Sequence, residues 1–284
     1  MSPPTIGFVG AGRLAKGLAV AMDAAGVHVV AAASRSLASA EALATLIPGC
    51  EATDAAGVAA RAELILLSVP DDAIAEAAAT LPAREGQGVV HCSGVTEVAA
   101  LDAVASRGLL TGGFHPMQGF ADPKAAARSL RGCTVTIEAS PPLESQLVTL
   151  AEALGCRVNR LPPGRRDLYH AVAGYGSQFL NVLLAEAATH WKAWGASERD
   201  VIAAFLPMMR GTLDAIEAGG IAEAMPGPVS RGDASSVGKH VDALEGEALA
   251  FYRAHCLRSV ELARLASRID EDTAARLRAI LVVQ

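Results

Sequence analysis

A histidine followed by proline closes the apolar run Leu109 to Gly113, in the segment Gly113-Phe114-His115-Pro116-Met117-Gln118. An imidazole at a strand end, beside a loop stiffened by proline, can exchange the proton that accompanies hydride transfer to a carbonyl or imine, with a pKa expected near operating pH. The alternative is a structural ring that braces its loop. Ser93 ends a second apolar run, Val89 to Cys92. It could hydrogen-bond a substrate oxygen or a carboxamide, and equally could cap the helix that follows. His91, inside that run, reads as a core histidine with satisfied nitrogens. Farther on, His170, Gly174, Ser177 and Asn181 are spaced by four, three and four residues, with Tyr169 and Gln178 beside them. On one helix these would share a face. A buried polar stripe is expensive unless it meets a ligand, a partner chain or itself. The predicted catalytic set is therefore His115, Ser93, His170 and Asn181.

A second constellation stands at the start of the chain, where the apolar run Ile6 to Val9 enters Gly10-Ala11-Gly12-Arg13-Leu14-Ala15 and opens an amphipathic helix. Gly10 permits a tight strand-to-helix turn, Gly12 lets a pyrophosphate approach the backbone, and small Ala15 lets helix and strand pack closely. Amides at the helix start would bind the anion. The next strand, Val27 to Ala33, ends in Ser34-Arg35-Ser36 with no carboxylate until Glu41. An acid there would favour a ribose 2′-hydroxyl, whereas the Arg35 fork and two serines suit a 2′-phosphate, so NADP is expected over NAD. Otherwise Arg35 is a solvated charge and Ser36 a helix cap. Val69 and Pro70, after the run Leu64 to Ser68, are placed to pack on the nicotinamide side; Asp71 and Asp72 read as helix caps. The predicted cofactor residues are Gly10, Ala11, Gly12, Arg13, Leu14, Ser34, Arg35, Ser36, Val69 and Pro70. In Pro226-Gly227-Pro228-Val229-Ser230-Arg231-Gly232-Asp233, Asp233 is a natural N-cap, and Arg231 could anchor a substrate carboxylate or tie the loop to an acid.

The elements that must hold these residues alternate as far as Leu161. Runs of strand character at Thr5 to Val9, Val27 to Ala33, Leu64 to Ser68, Val89 to Cys92, Leu109 to Gly113, Thr134 to Glu138 and Arg157 to Leu161 are separated mostly by helical segments. That rhythm predicts an α/β fold with a Rossmann-type, mostly parallel, doubly wound sheet. After Pro162-Pro163-Gly164 only helical periodicity remains, beginning with one long segment, Arg165 to Trp194. The predicted division is residues 1–162 as a dinucleotide-binding domain and 163–284 as an all-helical substrate and dimerisation domain, with chemistry in the cleft between them. The stretch Ala171 to Ala188, interrupted by Ser177, Gln178, Asn181 and Glu186, reads as a buried helix rather than a membrane span.

With 284 residues, 51% hydrophobic content and a formal net charge of −6, the chain reads as a mildly acidic globular protein. No clustered basic face points to nucleic acid. The five cysteines are scattered and lack a CxxC pair, so neither a zinc site nor a disulfide framework is expected. That fits a reducing cytoplasm, and Met1 leads into the first strand with no leader signature.

Together GFVGAGRLA, LLSVPDDAI, VVHCSG, FHPMQ, DLYHA and GPVSRGD, with His240 seven residues beyond Asp233, resemble the bacterial Rossmann-like proteins that carry a C-terminal domain of unknown function. These are relatives of pyrroline-5-carboxylate reductase, the prephenate dehydrogenases and the NADP-dependent deazaflavin oxidoreductases. The resemblance spans almost the whole chain and implies an NADP-type cofactor and a homodimer built through the helical domains. It is similar to the prephenate dehydrogenases in its His-Pro-Met segment, which implies that His115 meets a substrate hydroxyl. Hydroxyacid dehydrogenases place a catalytic lysine four residues before an asparagine; Ser177 stands there instead, before Asn181, which argues against a lysine mechanism. The expectation is an NADP-dependent oxidoreductase moving a hydride between nicotinamide and a small carbonyl, imine or hydroxyl compound. The rival is an NADP-binding sensor that signals through its dimer without turnover.

Overall fold

The computed structural model describes residues 3–120 and 122–282. Eight strands, β1 (Ile6–Val9), β2 (Val29–Ala33), β3 (Glu51–Thr53), β4 (Leu64–Leu67), β5 (Gly88–His91), β6 (Leu110–Pro116), β7 (Thr134–Ala139) and β8 (Arg157–Arg160), form one sheet in the order β3-β2-β1-β4-β5-β6-β7-β8. Every pairing is parallel except β6 with β7. Helices α1 (Arg13–Ala24), α2 (Leu37–Ala44), α3 (Ala55–Arg61), α4 (Ile74–Ala79), α5 (Asp102–Ala105), α6 (Pro123–Ser129), α7 (Leu143–Ala153) and α8 (Arg166–Ala173) accompany it. The mostly parallel, doubly wound architecture agrees with the prediction.

Central strands covered on both faces must be apolar throughout, and Ile6–Val9 and Leu64–Leu67 are buried at every position. Their alternate side chains feed two cores: Phe8, Leu64 and Leu66 pack with Leu18, Met22 and Leu150, while Ile65 and Leu67 pack with Val58, Ile74 and Val104. The same alternation sorts β6 and β7. Phe114, Val135 and Ile137 enter the first core. His115 pairs with Thr136, and Gly113 with Glu138, so these four residues share the opposite face.

The edge of the sheet departs from the sequence expectation. β3 and α3 are unpredicted, because a three-residue polar strand and an alanine-rich turn carry no apolar periodicity. The helical segment expected between the runs Val89 to Cys92 and Leu109 to Gly113 is a 3-10 turn, Val98–Leu101, followed by one turn of α5. β6 is longer than expected and includes His115, and α6 follows in the connection to β7.

The internal contacts define two compact units that divide between Ser177 and Gln178. The turn Pro162-Pro163-Gly164 and α8 belong to the first. In the second, α9 (Gln178–Trp191), α10 (Glu198–Gly219), α11 (Ala234–Ala243), α12 (Gly246–Leu265) and α13 (Glu271–Val282) are all helical. Val229, Val237, Val260, Ile269, Leu277 and Leu281 form part of its core. Asp233 caps α11 as predicted, accepting from the Ser236 amide at 3.0 Å. The continuous helix predicted from Arg165 is broken. After α8 comes a 3-10 turn, Gly174–Gly176, and Ser177 takes φ −134° and ψ −93°, outside the helical region. His170 and Asn181 therefore do not lie on one helix face. Nor is the stretch 171–188 buried as predicted, since α9 buries none of its residues in the single chain. No helix among the described residues is long and apolar enough to cross a membrane.

Candidate functional site

The strand order reverses at β1, whose neighbours β2 and β4 lead off in opposite directions, and ligands of such sheets bind beyond the carboxyl ends of these strands. Gly10 makes the turn there with φ +102°; a Cβ would collide with the Ser68 carbonyl, so only glycine fits. The Ser68 hydroxyl donates to the Gly10 carbonyl at 2.8 Å and fastens the turn to the end of β4. Gly12 is the N-cap of α1 and lacks a side-chain cap; a Cβ on it would meet no protein atom within 4 Å. The first turn of α1 thus presents orphan amides to open space, with no acid nearby in that turn.

A cavity of about 490 Å³ opens at this point, lined by Gly10, Ala11 and Gly12. Ser34, Arg35, Val69 and Pro70, from the ends of β2 and β4, line it as well. Asp54, the N-cap of α3, joins them and was not among the predicted residues. Of the predicted cofactor residues, Arg13, Leu14 and Ser36 do not line the cavity. Ser36 stands at the N-cap of α2 but makes no side-chain capping bond. The residues present fit a dinucleotide: glycine-bounded amides for a pyrophosphate and, for a 2′-phosphate, an exposed Arg35 on a β2 end that carries no carboxylate of its own before Glu41, with Asp54 of the neighbouring strand end sharing the cavity.

The second constellation lies on the β6 and β7 face that carries His115. Helix α8 crosses it, and its spacing of three places Arg166 over Gly113 and Glu138 and Tyr169 over His115. Arg166 is fully buried. Its Nε donates to Glu138 at 2.6 Å and its Nη1 to the Ser93 carbonyl at 2.8 Å, while an added Cβ at Gly113 would strike Nη2. Glu97 accepts from the amides of Gly164 and Arg166 at 3.1 and 3.2 Å, which fixes the entry to α8.

His115 Nδ1 lies 2.7 Å from the Tyr169 hydroxyl. The His115 and His170 rings meet edge-on with centroids 6.1 Å apart. Gly94 lies against both rings: a Cβ there would stand 2.5 Å from His170 Nδ1 and 2.9 Å from His115 Nε2, too close for any side chain, so glycine is what lets the backbone pass the two imidazoles. Burial, reinforced by the His170 and Arg166 charges and opposed by Asp71, lowers the His115 pKa to about 4. The expectation of an imidazole titrating near neutral pH is thereby corrected: His115 is neutral there. Asp71, expected only as a cap, acts on His115 through its charge.

The Ser93 hydroxyl accepts from the amides of Val95 and Thr96 at 3.2 and 2.9 Å, so it holds its own turn. His91 is fully buried as predicted, but its ring nitrogens make no well-formed hydrogen bond among the described residues, the Ser93 backbone being the one group that favours its charged form. Burial, then the Arg166 and His115 charges, lowers its pKa to about 3. His170 is exposed, and Asn181 is an exposed residue of α9 in the second unit. Arg231 is exposed in a 3-10 turn. Arg166, Glu138, Thr136 and Tyr169 were not in the predicted set. Their signals are the alternating polar positions Thr134, Thr136 and Glu138 in an inner strand, and a Gly-Gly pair within β6 that marks a close approach.

The fold and its glycine turn define a Rossmann-like protein with a helical C-terminal region. Residues 3–116 match the model of the Rossmann-like domain, and residues 133–259 match a domain of unknown function, DUF2520. The chain is thus a Rossmann-like protein carrying a C-terminal DUF2520 domain, as the motifs implied. Among solved structures, one from Bacteroides fragilis, provisionally assigned as an NADP oxidoreductase, is 28% identical with TM-score 0.70, covering 91% of this chain and 98% of its own. A pyrroline-5-carboxylate reductase from Coxiella burnetii is 14% identical with TM-score 0.62, covering 98% of this chain and 99% of its own. A reductive aminase from Aspergillus terreus, solved with NADPH and ethyl-5-oxohexanoate, is 14% identical with TM-score 0.59, covering 99% of this chain and 93% of its own. The last two share the fold. No curated protein matches the sequence.

Proposed function

We propose that the protein is an NADP-dependent oxidoreductase that transfers a hydride between nicotinamide and a small polar carbonyl, imine or hydroxyl compound. The observation that carries this reading is the coexistence, on one sheet, of a crevice bounded by Gly10, Gly12 and Arg35 and a shielded imidazole with a tyrosine partner. The NADP oxidoreductase assigned to the 28% identical structure and the NADPH held by the reductive aminase support the same cofactor. When bound, the nicotinamide supplies or accepts the hydride. The α1 amides hold the pyrophosphate and Arg35, with Ser34 and Ser36, the 2′-phosphate. His115 hydrogen-bonds the reacting oxygen or nitrogen, and glycine at position 94 keeps a side chain off His115 Nε2 and His170 Nδ1. Ser93 acts by shaping the Gly94 turn. The second unit supports a homodimer: α10 buries only Val201, and Phe179, Leu180, Val182, Leu183, Met208 and Leu213 are exposed in the single chain.

The test is NADPH binding by fluorescence, then NADPH consumption across a panel of ketoacids, cyclic imines, aldehydes and deazaflavins. Turnover is expected with one class, and His115→Asn should lower kcat by about 10²-fold while NADPH affinity is retained. His170→Asn should chiefly raise KM, as loss of uniform binding does. NADPH bound with no consumption across the panel would refute the enzymatic half and leave a binding module.

A further inference from the structure

From β1 the sheet continues through β2 and β3 on one side and through β4, β5 and β6, with His115, on the other. A dinucleotide whose pyrophosphate rests on the Gly10 to Gly12 turn therefore sends its nicotinamide toward β4 and its phosphorylated ribose toward Arg35 at the end of β2. The base on that ribose is carried one strand farther, to β3. There the parallel register ends with Ala33 beside Thr53, so Ser34 and Asp54 leave the sheet as neighbours, and both line the cavity of about 490 Å³. Ala55, which opens α3, and Ala73 and Ala77, one turn apart where β4 leads into α4, are half-buried residues of the same wall. Methyl groups give a planar ring room but no hydrogen bond, so recognition falls to the polar side chains among them. Asp54 is the fixed one. Its Oδ1 accepts from the Gly57 amide at 2.7 Å, which leaves Oδ2 without a partner among the described residues. Glu76 also lines the cavity, but its carboxylate is exposed and untethered, and the Thr80 hydroxyl turns back onto the Glu76 carbonyl at 3.0 Å.

We infer that Asp54 is a specificity-determining residue: its free Oδ2 accepts a hydrogen bond from the exocyclic 6-amino group of the cofactor's purine, whose ring lies against Ala55, Ala73 and Ala77. The inference rests on the NADP reading and deepens it, since Arg35 discriminates at the ribose and Asp54 at the base. A carboxylate accepts and does not donate. It therefore fits a 6-aminopurine and sets oxygen against oxygen with a 6-oxopurine. A carboxylate in an anion-binding crevice repels its ligand unless the ligand brings it a donor, and the amine is the donor that the base carries. The bond from Gly57 orients Asp54 before the ligand arrives, so less side-chain freedom is lost on binding than an untethered Glu76 would lose.

The experiment compares NADPH with its 6-oxo analogue, reduced nicotinamide hypoxanthine dinucleotide phosphate, by fluorescence titration. The two ligands share the nicotinamide, both riboses and every phosphate, so their affinity ratio reports the base alone. The parent should bind NADPH about tenfold more tightly, the low end for a charge-assisted bond because Asp54 stays in contact with water. Asp54→Asn keeps a capping oxygen for Gly57 and offers an amide N–H to the base, so it should erase or reverse that ratio. Glu76→Gln should leave the ratio at its parental value. Equal affinity of the parent for the two ligands would overturn the inference, as would an Asp54→Asn protein that keeps the parental ratio. The latter, with both ligands bound more weakly, is what a ribose hydroxyl contact would produce. A ratio that answers to Glu76→Gln would overturn it too, by moving the contact to the other carboxylate. Failure of NADPH to bind the parent would instead overturn the NADP reading, and this inference with it; NADPH bound with no preference over the 6-oxo analogue leaves that reading intact and removes the role of Asp54 alone.

Discussion

Removing Glu138 should destabilise the first unit more than any exposed substitution. Glu138→Ala leaves the Arg166 guanidinium, with a side chain 0% exposed, facing a space from which its carboxylate partner at 2.6 Å has gone. Arg166 cannot shed its proton, and its Nη2 already lacks a hydrogen-bond partner among the described residues, so no other protein acceptor offsets the loss. Deleting one partner of a buried ion pair costs about 3–5 kcal/mol, a large share of the roughly 5–15 kcal/mol that holds a typical domain folded. With about 2–4 °C per kcal/mol for a chain of this size, the melting temperature should fall by on the order of 10 °C. Replacing both partners, as Glu138→Leu with Arg166→Met, removes the unpaired charge along with the pair. The double variant should therefore be more stable than Glu138→Ala alone, despite losing the bond to the Ser93 carbonyl. Differential scanning calorimetry and urea unfolding of the parent, Glu138→Ala and the double variant measure these differences. A Glu138→Ala protein that melts within a degree of the parent would refute the assignment of this pair as the anchor of α8.

Arg35→Ala should weaken NADPH binding by one to two powers of ten, roughly 1.5–3 kcal/mol for a lost charge-assisted contact, and leave NADH nearly unchanged; titration calorimetry with both nucleotides decides it. Acid should destabilise the fold through its shielded imidazoles: folded-state pKa values of about 4 for His115 and about 3 for His91 lie below the ordinary 6.5. Between pH 6.5 and 4 the unfolded chain binds more protons than the folded one, so this contribution is complete above 6.5 and is lost on acidification, at up to about 1.4 kcal/mol per pH unit for each ring. His91→Gln should flatten the fall of melting temperature over that window, and an unchanged slope would contradict the assignment. Light scattering at micromolar concentration should return twice the chain mass, the interface burying at least ~2,000 Å² in total; a monomer would sink the proposed dimer.

The β1 turn was legible because its requirements are local: an apolar strand, a glycine whose φ is positive, and a helix start all fall within ten consecutive residues. His115 was legible for a similar reason, a polar ring at the close of an apolar strand. Its surroundings were not, because Arg166 follows Arg165 at a helix start and reads as a solvated charge, while only the three-dimensional register brings it onto Glu138 and Gly113. The break at Ser177 was equally hidden, since the apolar spacing continues through Gly174-Tyr175-Gly176 and nothing there is as disruptive as proline. His91 shows the limit of inference by burial: apolar neighbours predict that a side chain is inside, and say nothing about whether its polar atoms find partners.

The antiparallel pairing of β6 with β7 also governs which insertions and deletions the gene can absorb. Side chains alternate along both strands, so a shift of one position carries His115 into the place now filled by Phe114 or Pro116 and turns Thr136 and Glu138 into the apolar core. Loss of a codon within Leu110–Pro116 or Thr134–Ala139 therefore erases the imidazole, its tyrosine contact and the arginine seat in one event. The connection between these strands has no such parity to keep, and length changes there leave the pairing intact. Across homologues, length variation should accordingly collect between residues 117 and 133 and be purged from the two strands on either side.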